Sequence, residues 1–273
     1  MSAAIFALFG LIIGSFLNVL ILRWGERSLS GRSVCMACGQ RIAWYDLIPV
    51  FSWLALRGRC RACGQRISIQ YPLVEASTAV AFAFIGTSPL SLGFQLVALP
   101  IAALFIAIAV YDLYHTIIPD AWVYACAVLS FGTAIAGTWG VSDPYILALT
   151  IFSGPLVALP LFALWFVSRG RWMGLGDVKL ALPIGWLLGM EWGIRALLFA
   201  FVLGALVSVP LLFFSSTFWH RVLERFTPTR AFRTGNLGFT MQSEIPFGPF
   251  LIASCFFVWF MHMYGGSIPY LLW

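Results

Sequence analysis

The chain has 273 residues, of which 61% are hydrophobic and only 10% are charged. A soluble domain is on average about 25% charged. A soluble domain of this length could not bury so much apolar surface away from water. The composition therefore excludes an ordinary soluble fold and favours a protein embedded in lipid. The net charge is +6, with eight arginines between Arg23 and Arg66 and four more between Arg221 and Arg233. Such clusters beside apolar runs are typical of cytoplasmic loops, and we expect membrane lipid rather than nucleic acid as a partner.

The first predicted element is a transmembrane helix over residues 4–22, an apolar run of the length that a bilayer requires. Gly10 and Gly14 stand four residues apart in it, a spacing that permits a second helix to approach closely, although a plain lipid-facing helix fits equally well. The N-terminus lacks the basic residues of a cleavable signal. We therefore expect this helix to be retained, with its N-terminus outside.

A polar segment over residues 23–72 follows, and it contains a short internal repeat. The sequence Cys-Met-Ala-Cys-Gly-Gln-Arg-Ile at residues 35–42 recurs at residues 60–67 with one change, Met to Arg. Two CxxC pairs supply the four thiolates of a tetrahedral zinc site. This pattern predicts a structural zinc ion bound by Cys35, Cys38, Cys60 and Cys63, with a redox dithiol pair or unligated thiols as the alternatives. Cys126 and Cys255, alone in apolar runs, are predicted to be small core side chains.

Seven further apolar runs predict an all-α, polytopic membrane protein of about eight transmembrane helices. These runs lie at residues 73–88, 90–110, 117–137, 145–167, 178–189, 196–214 and 247–264. Counting the helices places the segments at 111–116, 169–179 and 215–244 on the same side as the arginine-rich loop. All remaining basic residues except Arg195 fall in those segments, so the positive-inside bias predicts that this side is cytoplasmic.

Two carboxylates are predicted at the cytoplasmic border, Asp112 at the end of the third helix and Asp177 at the start of the sixth. A charged side chain near hydrocarbon costs a few kcal/mol, so it usually forms an ion pair or has a catalytic or transport function. Two carboxylates sharing one proton can activate water and protonate the leaving amine of a peptide bond, although a coupled pair does not reveal which member is protonated. The alternative is that both merely cap helices. Asp120 is a rival to Asp112, but Pro119 and Asp120 better fit a turn that starts the next helix.

These features together resemble the type IV prepilin peptidases, the bifunctional membrane enzymes of pilus and type II secretion systems. The Gly-x-Gly-Asp motif alone is weak evidence, because presenilin-like proteases contain it as well. The matching segments are Gly-Ser-Phe-Leu-Asn-Val at 14–19, both cysteine pairs, Ile-Pro-Val-Phe-Ser-Trp-Leu at 48–54, Tyr-Pro-Leu-Val-Glu at 71–75, Ile-Pro-Asp at 118–120 and Gly-Leu-Gly-Asp-Val-Lys at 174–179. One departure is the methionine after the first cysteine, where many relatives have proline.

The resemblance implies a multi-pass enzyme of the bacterial inner membrane that cuts the basic leader of a prepilin or pseudopilin after a glycine. It implies that Asp112 and Asp177 are catalytic, and that the new N-terminus is methylated with S-adenosylmethionine. The predicted domains are then a first transmembrane helix at 1–22, a cytoplasmic zinc-binding domain at 23–72 and a seven-helix aspartyl protease domain at 73–273. A presenilin-like protease and a proton-coupled transporter are the other functions considered.

No glycine-rich nucleotide loop is visible, so the sequence does not place the methyl-donor site. Three acidic residues, Glu26, Asp46 and Glu75, are predicted near the cytoplasmic face. They could attract a basic leader, or balance nearby arginines.

Overall fold

The computed structural model describes residues 3–25, 28, 31–213 and 246–265. Within these ranges the regular secondary structure is helical, apart from two isolated antiparallel bridges in the cysteine segment. The described chain forms two compact units, one ending at Thr87 and the other starting at Ser88. Glu26 and the predicted cytoplasmic segment at 215–244 lie outside the described residues.

The first unit is built on a pair of antiparallel helices. It contains α1 (Ala3–Arg23), α2 (Phe51–Ala55) and α3 (Gln70–Thr87). A Cβ placed on Gly10 would lie 2.6 Å from the Cα of Ala79, and one on Gly14 would lie 2.6 Å from the Cα of Glu75. The two backbones are therefore in contact, which confirms that the Gly10-x-x-x-Gly14 spacing serves close helix packing.

The described part of the second unit is a helical bundle. Its helices are α4 (Leu92–His115), α5 (Asp120–Gly137), α6 (Pro144–Ser168), α7 (Leu175–Phe213) and α8 (Gly248–Tyr264). Small residues again allow close packing, since a Cβ on Gly185 of α7 would lie 2.7 Å from the Cα of Gly154 on α6. Cys126 and Cys255 are fully buried, as predicted for small core side chains.

Five of these helices, α1, α4, α5, α6 and α7, are long and apolar enough to cross a membrane. α3 and α8 occupy two further predicted spans, but α8 has only 17 residues and α3 carries the buried Glu75. The count of eight transmembrane helices stays a prediction.

The structure agrees with the prediction of two apolar helices between residues 178 and 214. α7 consists of two helices that meet at Gly189, whose φ of 74° and ψ of 174° are not helical. The second helix folds back on the first, because a Cβ on Gly193 would lie 3.4 Å from the Cα of Gly185, whereas eight residues span about 12 Å in a continuous helix. The structure differs only at the connection, since the expected loop residues Glu191 and Arg195 lie within the second helix and form an ion pair one turn apart.

Candidate active site and cysteine cluster

Asp112 lies in the last turn of α4, and its side chain is buried, with 4% of its surface exposed. The helix ends because Thr116 adopts a left-handed conformation (φ 52°, ψ 29°), from which its N–H donates to the backbone oxygen of Asp112 at 2.8 Å. A carboxylate at the C-terminal end of its own helix is disfavoured by the helix dipole. Capping of α4 therefore does not explain this residue.

Asp177 lies in the first turn of α7 and is 8% exposed. Its carboxylate interacts with the backbone amide of Gly174, and a Cβ on that glycine would lie 3.6 Å from Oδ2. An acidic side chain at a helix N-terminus is favourable. Asp177 thus stabilises the start of α7. For this residue, unlike Asp112, the alternative that the aspartate caps a helix agrees with the structure.

The structure brings the two predicted carboxylates together, since Asp177 lies close enough to Asp112 for electrostatic interaction. Ile118, in the turn between α4 and α5, fills the space between two glycines. Cβ atoms on Gly176 and Gly248 would lie 3.1 Å and 3.3 Å from its side chain. The end of α4, the following turn and the starts of α7 and α8 therefore meet at one place.

Gly248, the first residue of α8, is the member of this cluster that the sequence analysis missed. Its backbone amide interacts with the Asp112 carboxylate, and a Cβ on it would lie 2.5 Å from Oδ2 of Asp112. The N-terminus of α8 therefore provides the positive end of a helix dipole to a carboxylate that its own helix disfavours. The signal in the sequence is the glycine between Pro246 and Pro249, directly before the last apolar run.

Asp120, the rival to Asp112, is the first residue of α5, and its partner is a lysine rather than a second carboxylate. Its exposed carboxylate receives Nζ of Lys179 at 2.8 Å from each oxygen. The ion pair joins the starts of α5 and α7. Asp120 thus has a structural partner, as expected of a turn residue.

The four cysteines of the CxxC pairs form one cluster, in which all four Sγ atoms lie within 4.8 Å of one another. Each pair is shaped by the same turn. Gly39 and Gly64 adopt φ values of 71° and 70°, and their N–H groups donate to the backbone oxygens of Cys35 and Cys60 at 2.8 Å and 2.9 Å. The repeat in the sequence is therefore one turn used twice.

This cluster has the dimensions of a zinc site. Tetrahedral Zn–S bonds of about 2.3 Å separate the sulfurs by roughly 3.8 Å, and Sγ of Cys35 lies 3.9 Å from Sγ of Cys63. The backbone N–H groups of Cys38 and Ala37 lower the pKa of the Cys35 thiol to about 6. The pKa of Cys63 is raised to about 11, because desolvation and the three neighbouring sulfurs outweigh the N–H of Gln65. A cation would favour the thiolate of every member.

Two of the three acidic residues singled out in the sequence have partners inside the first unit. Asp46 forms an ion pair with Arg61 at 2.6 Å, and Glu75 accepts the backbone N–H of Val50 at 2.7 Å. These contacts favour internal roles over attraction of a leader.

Comparison with known proteins places both units in one family. Residues 8–88 match the model of the bacterial peptidase A24 N-terminal domain, and residues 99–209 match that of the type IV leader peptidase family. No solved structure matches the chain.

Curated relatives support the same assignment. The chain is 37% identical over 211 residues to the prepilin leader peptidase/N-methyltransferase of Myxococcus xanthus, covering 74% of this chain and 61% of that protein. It is 31% identical over 296 residues to the prepilin leader peptidase/N-methyltransferase of Dichelobacter nodosus, covering 96% and 91%. It is 38% identical over 201 residues to the type 4 prepilin-like proteins leader peptide-processing enzyme of Escherichia coli, covering 64% and 73%.

Proposed function

The chain belongs to the type IV leader peptidase family, and we propose that it is an aspartyl endopeptidase that removes the basic leader of type IV prepilins or type II secretion pseudopilins after a glycine. We propose further that it methylates the new N-terminus with S-adenosylmethionine, as the names of its relatives indicate. The observation that carries the peptidase proposal is the meeting of the two buried carboxylates, Asp112 and Asp177, at the ends of different helices.

The chemistry follows from one proton shared by two carboxyl groups. The ionised member takes a proton from a water molecule as the water oxygen attacks the scissile carbonyl carbon. The protonated member donates its proton to the carbonyl oxygen, giving a neutral tetrahedral intermediate. Collapse of this intermediate breaks the C–N bond. The amine leaves with the proton held by the first carboxyl group, while the second carboxylate takes a hydroxyl proton from the intermediate as the new carboxyl group forms. The pair acts as a unit, so the roles are not assigned to single residues.

Gly174 supplies access for an extended substrate backbone on the Asp177 side of the pair. A Cβ on Gly174 would lie 3.6 Å from Oδ2 of Asp177, so backbone rather than a side chain borders this carboxylate. A peptide can thus approach within contact distance, which hydrolysis requires.

The proposed topology has eight transmembrane helices in the bacterial inner membrane, an external N-terminus and the active site at the cytoplasmic face. The C-terminal end of α4 and the N-terminal end of α7, which carry the aspartates, fall at one border of the predicted spans. Arg169 and Arg171, just before α7, add positive charge at the same border. A transporter would instead hold its carboxylates near the midplane.

The cofactors of the proposal differ in their support. Cys35, Cys38, Cys60 and Cys63 would hold a structural zinc ion, which would fix a polar segment too small to fold around its own core. The proposal that S-adenosylmethionine is the methyl donor is supported by the names of the relatives, and no residue is assigned to its binding site.

The peptidase proposal is tested by expressing Asp112→Asn and Asp177→Asn separately with a prepilin and measuring intact masses. We expect each variant to lose at least about 10²-fold in cleavage rate, the low end for a general acid or base. Asp120→Asn is the matched control, because it removes a charge at the same border but outside the pair, and it should retain cleavage. Full processing by either dyad variant would exclude the proposed mechanism.

A further inference from the structure

The stretch between the two cysteine pairs exposes an unusual number of large apolar side chains for a segment outside the candidate membrane spans. Trp44 is 79% exposed and Phe51 is 64% exposed. Four more exposed members of residues 44–54 are Tyr45, Leu47, Ile48 and Leu54. Single exposed apolar residues are ordinary, but a contiguous set marks a surface that is covered by a partner.

A partly buried hydrogen bond fixes this apolar segment (residues 44–54) against the helix pair of the first unit. The N–H of Val50 donates to Oε2 of Glu75 at 2.7 Å. Val50 has a φ of 60°, a conformation that a β-branched residue adopts only under constraint. Glu75 itself lies against Gly14 of α1. The middle of the apolar segment is therefore held beside α1 and α3.

The position of this contact along α1 gives its depth. Asn18 of α1 donates to the backbone oxygen of Tyr71 on α3 at 3.2 Å, so the Glu75 carboxylate, which leans toward the start of α3, lies between the levels of Gly14 and Asn18. These residues precede Arg23, the end of α1, by five to nine positions, or roughly 7–14 Å along the helix axis.

Because α1 is long and apolar enough to cross a membrane, this depth can be compared with the bilayer. A headgroup layer is about 5–8 Å thick on each side of a hydrocarbon core of about 30 Å. With Arg23 at the headgroups, Val50 and its neighbour Phe51 lie at the boundary between headgroups and acyl chains. Tryptophan and tyrosine are enriched at this level of membrane proteins.

We propose that residues 44–54 insert into the interface of the membrane leaflet on the Arg23 side, and that neighbouring arginines bind the phosphates of anionic lipids there. Four arginines flank the segment with exposed side chains: Arg41, Arg57, Arg59 and Arg66. Across the described part of the chain none of these four forms a salt bridge, whereas Arg61 is paired with Asp46. Long basic side chains beside apolar surface suit an anionic bilayer.

The alternative occupant of this surface is a protein, such as a substrate helix. Lipid is favoured because Val50 and Phe51 lie at the level of the membrane interface before any partner binds. Charge complementarity points the same way, since the unpaired charged side chains beside the segment are all cationic among the described residues.

The test uses the full-length protein in nanodiscs containing equal parts of phosphatidylcholine and phosphatidylglycerol. The photo-crosslinker p-benzoylphenylalanine replaces Phe51, and the mass of the irradiated protein reports any lipid adduct. Phe16, exposed on α1, is the position that should contact lipid in any case. Met36 lies in a cysteine turn outside the segment and is 80% exposed, so it is the control position that should not contact lipid.

We expect the adduct yield at Phe51 to match that at Phe16 and to be several times that at Met36. We also expect Arg57→Gln combined with Arg59→Gln to lower the share of phosphatidylglycerol in the Phe51 adduct, with an unchanged thermal unfolding midpoint. A yield at Phe51 no higher than at Met36 would overturn membrane insertion. Membrane insertion would also be overturned if, with a prepilin included in the nanodiscs, Phe51 crosslinked to the prepilin in place of lipid. An unchanged phosphatidylglycerol share would overturn the role of the arginines.

Discussion

Gly248→Ala is the substitution that tests most directly whether the start of α8 shapes the active site. The added methyl group would lie 2.5 Å from Oδ2 of Asp112, whereas ordinary contacts begin near 3.4 Å. Either the carboxylate or the helix start must then move by about 0.9 Å. Because Gly248 is helical with no need for a positive φ, alanine is compatible with the backbone. The main clash is therefore with the carboxylate, since the Ile118 side chain lies at 3.3 Å and needs to move only slightly.

A displacement of about 1 Å in a catalytic group can lower the rate by about 10²-fold, and we expect a loss of that order for this variant. The assay is single-turnover cleavage of a purified prepilin in detergent or nanodiscs, followed by mass. Gly132→Ala on α5 is the matched control, because nothing lies within 4 Å of the added methyl group. The reasoning fails if Gly248→Ala cleaves at the rate of the unmodified enzyme while remaining folded.

Two further predictions concern the first unit. Cys60→Ser should reduce bound zinc, measured by elemental analysis, from about one ion per chain to nearly none, while Cys126→Ala should keep the metal; equal zinc in both variants would contradict the four-cysteine site. Gly14→Val should lower the thermal unfolding midpoint, because the new Cβ would lie 2.6 Å from the Cα of Glu75, a backbone atom that cannot rotate away. Gly93→Val, where the Cβ position is open, should unfold near the unmodified midpoint.

The positions of most helices could be predicted because a membrane helix requires an uninterrupted apolar run of a minimum length, which is visible in the local sequence. The pair of aspartates was predictable for a related reason. Residues that end and start such runs on one side of a bilayer share a depth, and two carboxylates at one depth can meet.

Contacts that depend on side-chain chemistry across helices were not predictable from the sequence. The Gly248 contact to Asp112 joins segments that are far apart in the chain, and its residue is an ordinary glycine before an apolar run. The length of the connection at Gly189 was not predictable either, because the charged residues Glu191 and Arg195 were assigned to a loop. These two side chains form an ion pair one turn apart inside the second helix of α7.

The arrangement around Asp112 shows why a carboxylate can stay buried at the wrong end of its own helix. The last turn of α4 disfavours negative charge, and the nearby carboxyl group of Asp177 makes a charge on both residues at once unfavourable. The start of α8 opposes both effects, but only because Gly248 lets its backbone amide reach the carboxylate. Close approach of backbone is therefore required twice, once by α8 to stabilise the pair and once by the substrate to be cleaved. A scissile bond that follows glycine suits such a site, since a substrate residue without a Cβ lets its backbone come closest to the carboxylates.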